Sequence, residues 1–210
     1  ASRRPEPLRA VRVFIGLMCG LGLAASLLAQ TALPGQDRQR LADGLYSRGL
    51  YELALEEYRR LLEEVPNIGN REMLLFRTAE STRQLGKTGE AEELFLQVVE
   101  LAGKKDVGQR ARYRLAELAF ARDDLASAGR FLRELVRSAP DPGLEAPARF
   151  LLGQVLEAQG EVAMALSQYR LLMDKAPEGE LAGIAALRIA GLGEGSVEER
   201  REAFELALRR

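Results

Sequence analysis

The sequence contains no histidine and no tryptophan among its 210 residues, and its single cysteine is Cys19. Metal sites built on histidine or cysteine ligands are therefore excluded, as are Ser–His and Cys–His nucleophile pairs. A site made of carboxylates alone stays open, but the acidic residues are dispersed along the chain. These absences predict a protein that is not an enzyme and that binds no cofactor.

The chain also lacks an excess of charge of either sign, because 30 basic and 31 acidic residues leave a net charge of −1. These totals imply no strongly basic face, so we expect no nucleic-acid partner. The apolar content of 47% is ordinary for a folded protein. A chain of this length favours one domain with an appendage.

A repeat with a step of 37 residues runs through most of the chain. Small residues recur in one helical pattern and again in a second: Ala42, Ala79, Ala116 and Gly153, then Ala54, Ala91, Ala128 and Ala165. Three further columns share the step: Tyr58, Phe95, Leu132 and Tyr169; Gly49, Gly86, Asp123 and Gly160; Pro66, Gly103, Pro140 and Pro177. A period of this length predicts stacked helix pairs and an all-α fold.

Each column has a physical cause that places it in a helix pair. Small residues let two helices approach closely, and the glycine column supplies the left-handed residue that ends many helices. Proline closes the pair because it cannot continue a helix. The pattern predicts helices near 36–48, 51–64, 70–85, 88–102, 107–122 and 125–138, two more within 140–177, and a degenerate fifth unit near 181–192 and 197–209.

These columns resemble the tetratricopeptide repeat over about residues 35–177. The wide step and the pattern from Ala146 to Gly153 are similar to bacterial periplasmic and envelope repeat proteins, of the Tol–Pal coordinator and outer-membrane assembly lipoprotein type. Thr78, Thr82 and Thr88 in repeat two and Asp123 in repeat three depart from that pattern. The resemblance implies a right-handed solenoid of helix hairpins. Its repeats would span about 35–71, 72–108, 109–145 and 146–182, with a degenerate fifth repeat or capping helix over 178–210.

The first 34 residues have the features of a targeting segment. Four arginines precede residue 13, and residues 13–29 then carry no charge. This order is typical of a secretory signal, with cleavage expected after Ala29. The run approaches the length of a membrane span, so a retained signal anchor stays open. In either case the basic start predicts that the repeats lie outside the cytoplasmic membrane, in the periplasm or tethered facing it.

The resemblance also implies where a partner would bind, because the first helices of this family line a concave face. One column places Phe76, Tyr113 and Phe150 there, with Glu80 and Glu117 beside them. A neighbouring column holds Tyr46, Arg83 and Phe120. An aromatic stripe beside an acidic stripe would suit a segment with apolar anchors and some lysine or arginine. Packing between helices is the alternative role of these rings.

We therefore expect a non-catalytic scaffold that binds protein or peptide partners outside the cytoplasmic membrane, with envelope assembly or division as its setting. The N-terminal segment would contact the membrane if it is not cleaved. One alternative is a membrane-anchored structural homo-oligomer. Another is an accessory repeat domain of a larger protein whose chain is cut at Arg210.

Overall fold

The computed structural model describes residues 35–65, 68–138, 141–177, 179–192, 197–198, 201 and 205. The long described stretches form nine helices and no strand. They are α1 (Gly35–Ser47), α2 (Tyr51–Glu64), α3 (Arg71–Gln84), α4 (Thr88–Ala102), α5 (Asp106–Ala121), α6 (Leu125–Arg137), α7 (Pro142–Ala158), α8 (Val162–Lys175) and α9 (Glu180–Gly191). The predicted all-α helix-hairpin fold is confirmed. The predicted signal or anchor at 1–34 and most of the predicted last helix lie outside the described residues.

The helices form two layers. Each helix packs against the next along the chain, so α1/α2, α3/α4, α5/α6 and α7/α8 are hairpins. The first helices also contact one another across repeats, α3 with α5, α5 with α7, and α7 with α9. One layer is therefore made of α1, α3, α5, α7 and α9, and the other of α2, α4, α6 and α8. None of the described helices has the length and hydropathy to cross a membrane.

The repeat columns occupy the contacts between these layers. Every alanine of the two small-residue columns is fully buried, which lets the paired helices approach closely. The large residues that follow them in the second helices are fully buried as well: Tyr58, Phe95, Leu132 and Tyr169. The core is therefore a series of similar contacts, one for each hairpin.

The tight turns inside the hairpins explain the glycine column. Gly49, Gly86 and Gly160 have φ of 76°, 75° and 77°, in the left-handed region that glycine enters without a steric penalty. Asp123 takes the same place in the third hairpin with φ of 62°. Aspartate is one of the few other residues that visit this region, so the departure keeps the turn.

Two of the threonines that depart from the family pattern are accommodated in α3. Thr78 and Thr82 are buried, and each hydroxyl donates to the carbonyl one turn earlier, at 2.8 Å. A buried hydroxyl without a partner would be costly, and these bonds remove that cost. Both polar residues therefore fit within the hairpin core.

Candidate binding groove on the first-helix layer

The first-helix layer carries a pocket of about 510 Å³, which we call the first-helix groove. Residues of α1, α3 and α5 line it, together with the first turns of α7. It therefore crosses four successive repeats. Its walls combine rings and apolar side chains, such as Tyr113, Leu144 and Pro147, with charged residues.

Five of the eight residues predicted for the groove lie in its wall: Tyr46, Phe76, Glu80, Tyr113 and Glu117. The other three are not part of that wall. Arg83 contacts the carboxylate of Glu80 at 3.3 Å, Phe120 packs against the core around α6 to α8, and Phe150 packs on the ring of Tyr169. The structure therefore brings together five predicted residues from repeats one to three, and it leaves Arg83, Phe120 and Phe150 outside the wall.

The predicted aromatic ladder is divided between core and groove. Phe76 is only 8% exposed, and its ring lies 5.6 Å from that of Phe95 in the same hairpin. Phe150 makes the equivalent contact with Tyr169, at 5.7 Å between ring centres. In both hairpins the ring of the first helix contacts the large residue of the second helix, so Phe76 and Phe150 mainly serve to pack their hairpins. Tyr113, whose counterpart on α6 is the smaller Leu132, is half-buried against the core and also lines the pocket, which Phe150 does not.

The predicted acidic stripe is not a free negative surface, and this expectation is corrected. Glu80 is 4% exposed, and its carboxylate accepts from Arg114 at 2.8 Å and from Arg83 at 3.3 Å. Arg114 also donates to Glu117 at 2.7 Å. The hydroxyl of Tyr46 completes the set at 3.5 Å from Glu80. A buried carboxylate requires such partners, so Glu80 joins three repeats and leaves little charge for a partner.

Two arginines of the groove were missed from the sequence, although they carried a signal. Arg77 and Arg114 stand 37 residues apart, and Arg40 lies one further step back. The guanidinium of Arg77 lies 5.3 Å from the ring centre of Tyr46, in cation–π geometry. With Arg110, which pairs with Asp106 at 3.0 Å, these residues balance the acids of the groove.

The phenols of the groove are held in their neutral form. Burial raises the pKa of Tyr113 to about 12, and the nearby Glu117 carboxylate adds to the effect. Burial, followed by the charge of Glu80, raises the pKa of Tyr46. Both hydroxyls are therefore protonated near neutral pH and can donate hydrogen bonds. Within the described residues no cluster of acidic or sulfur ligands could hold a metal ion.

Comparison with known proteins supports the repeat assignment. Residues 70–209 match the model of the tetratricopeptide repeat-like domain. The fold is similar to that of PilF from Pseudomonas aeruginosa, with a TM-score of 0.69 and 17% identity over 83% of this chain and 75% of that one. MamA (residues 41 to the end) from Desulfovibrio magneticus RS-1 gives a TM-score of 0.62 and 18% identity, over 83% and 92% of the two chains.

A third structure is YrrB, described as a tetratricopeptide repeat protein with an unusual peptide-binding site. Its TM-score is 0.61, with 19% identity over 88% of this chain and 95% of that one. At such identities the likeness is one of fold. No curated protein sequence matches this chain. The family model spans most of the chain, and the chain therefore belongs to the tetratricopeptide repeat-like domain family.

Proposed function

We propose that this protein is a non-catalytic scaffold that binds a segment of a protein partner in the first-helix groove. The observation that carries the proposal is the pocket of about 510 Å³ that crosses four repeats, with the half-buried ring of Tyr113 in its wall. A partly exposed tyrosine in a concave site is the kind of residue that dominates binding energy at protein interfaces. The family and the peptide-binding site named for YrrB support the same role.

The kind of segment that the groove would bind follows from which of its side chains are not already paired within the protein. Glu80 and Glu117 are occupied by Arg114, so they offer little attraction to a lysine-rich or arginine-rich segment. The apolar part of the wall remains, formed around Tyr113, Leu144 and Pro147. The groove therefore suits a segment with one bulky apolar anchor, whose polar flanks bond to the charged edges.

The place of action is part of the same proposal. Residues 1–34 would export the repeats or tether them outside the cytoplasmic membrane, where the protein would serve envelope assembly or division. The support is the uncharged run at 13–29 behind four arginines. Fusing residues 1–40 to a reporter that is active only outside the cytoplasm tests this. Reporter activity that stays inside the cell contradicts export and leaves the groove proposal untouched.

The groove is tested with selected ligands. Short random peptides are displayed and selected on the full chain, and the enriched peptides are synthesised. We expect a shared aromatic or large aliphatic anchor. Tyr113→Ala should weaken their binding by more than about 1 kcal/mol while the helix content is kept. Leu53→Ala is the control, because Leu53 is 50% exposed and lies on α2, outside the groove.

Two results would contradict the proposal. One is a set of peptides that binds wild type and Tyr113→Ala equally well. The other is a Tyr113→Ala protein that has lost its helices, which would make Tyr113 a core residue like Phe76.

A further inference from the structure

The second-helix layer presents a continuous exposed stripe on the side of the molecule away from the groove. On α2 it consists of positions 52, 56, 59 and 63, which share one helical face because they are spaced by 4, 3 and 4 residues. The equivalent positions on α4, α6 and α8 follow at steps of 37. All sixteen residues of this outer stripe are exposed.

The outer stripe changes sign at its middle. Its half on α2 and α4 carries five carboxylates and one arginine, whereas its half on α6 and α8 carries four arginines and one carboxylate. The change occurs within single columns. Glu63 and Glu100 are followed by Arg137, and Glu56 and Glu93 by Arg130. A face that only needed solubility would have no reason to separate the two signs by helix.

Most of these charges have no ion-pair partner in the part of the chain that the structure describes. All four arginines of the basic half lack an ion pair with any described residue, as do four carboxylates of the acidic half, including Glu93 and Glu100. Two members of the stripe do have partners, since Arg59 binds Glu90 and Glu56 binds Arg60. The two central helices of the outer stripe, α4 and α6, therefore carry opposite charges without ion pairs, and these could satisfy each other between molecules.

We propose that the outer stripe binds a second copy of this chain, antiparallel, about a two-fold axis between α4 and α6. Such an axis lays α4 of each copy on α6 of the other, so Glu93 and Glu100 face arginines such as Arg137. One patch therefore provides two complementary contacts. A parallel arrangement would place like charges together. Leu96, which is 45% exposed between Glu93 and Glu100 on α4, supplies apolar surface near the axis.

This interface does not depend on the proposed function. The outer stripe belongs to the second helices and the groove to the first helices, so both copies keep their grooves open. The dimer would present two grooves facing away from each other. That arrangement suits a scaffold that holds two partner segments at once.

Sedimentation of the full chain in a nonionic detergent tests the dimer. We expect dimers in about 0.01 M salt, where exposed charges interact over roughly 30 Å, and monomers in about 1 M salt, where the range falls to roughly 3 Å. Arg137→Glu should raise the dimer dissociation constant about tenfold or more. The new glutamate faces Glu100 of the other copy, and the two-fold axis repeats this repulsive contact. Glu100→Arg should do the same.

Swapping the two charges in one double variant distinguishes this interface from other possible contacts between copies. The double variant Glu100→Arg/Arg137→Glu restores opposite charges across the axis, so it should dimerise like wild type. Arg48→Glu is the control, because Arg48 is exposed in the turn after α1 and lies outside the stripe. The proposal is overturned if the chain is a monomer at low salt, if its dimer ignores both single reversals, or if the double swap fails to restore association.

Discussion

Gly153 of α7 and Tyr169 of α8 lie so close that a Cβ atom on Gly153 would be 2.4 Å from Cε1 of the tyrosine ring. The tyrosine is fully buried and cannot move aside without disturbing its neighbours. In the three earlier hairpins this position is alanine, facing Tyr58, Phe95 or Leu132. The fourth hairpin is therefore packed more tightly than the others, and glycine is required there for its size.

Replacing Gly153 with alanine should accordingly destabilise the protein. The added methyl group overpacks the contact with Tyr169, and overpacking typically costs about 1–3 kcal/mol of unfolding free energy. Gly44 provides the matched control, since it lies inside α1 with no atom within 4 Å of an added Cβ. Gly44→Ala should stabilise the protein by about 0.5–1 kcal/mol through helix propensity. Urea unfolding followed by circular dichroism measures both, and equal changes would contradict the packing described here.

The turn at Asp123 provides the second prediction. Its φ of 62° is tolerated by aspartate, is free of strain for glycine, and is poorly accessible to a β-branched residue. Asp123→Gly should leave the melting temperature unchanged or raise it. Asp123→Val should lower the unfolding free energy by about 1–2 kcal/mol, the usual cost of this conformation. Ala126→Val, on the exposed first turn of α6, controls for the introduction of a β-branched side chain at an ordinary helical position.

A clear drop in stability for Asp123→Gly would show that the aspartate side chain, and not the backbone conformation, is what the turn requires. Thermal unfolding of the three variants distinguishes the two cases.

The third prediction concerns the link between Glu80 and Arg114. A double-mutant cycle with Glu80→Gln and Arg114→Gln should give a coupling energy of about 1.5–3 kcal/mol, as for hydrogen bonds to buried charged groups. The comparison pair is Asp106 and Arg110, which are joined at 3.0 Å but are about half exposed. Exposed pairs on a helix are usually worth about 0.3–0.5 kcal/mol. Urea unfolding of both cycles measures the difference, and similar coupling energies would mean that burial does not strengthen the inner pair.

The helix bounds show how much of the fold could be predicted. The predicted helix at 51–64 is observed as Tyr51–Glu64, and the one at 88–102 as Thr88–Ala102. Other bounds, such as those of α5, differ by one residue at each end. These features are local, because they depend on helical periodicity and on residues such as Gly86 that end a helix. Five aligned columns reinforced each local signal, so the prediction was accurate.

The groove was predicted only in part. Its place on the first helices and five of its residues were foreseen, but the roles of Phe76 and Glu80 were not. Phe76 turns into the core because Phe95 stands opposite, and Glu80 is buried because Arg114 of the next repeat reaches it. Which side chains are taken up by neighbours depends on distances between repeats that the sequence does not contain.

The sequence by itself determined the all-α class, the step of 37 residues, the hairpin turns and the small residues at the helix contacts. Each of these follows from interactions within one helix pair, which a short stretch of chain encodes. The tertiary structure alone decided that Tyr113 is a half-buried ring in the wall of the groove and that Glu80 and Glu117 are neutralised there. It also decided that most charges of the outer stripe have no ion-pair partner among the described residues. Those outcomes arise when hairpins stack, because burial and ion pairing depend on the side chains that neighbouring repeats bring within reach.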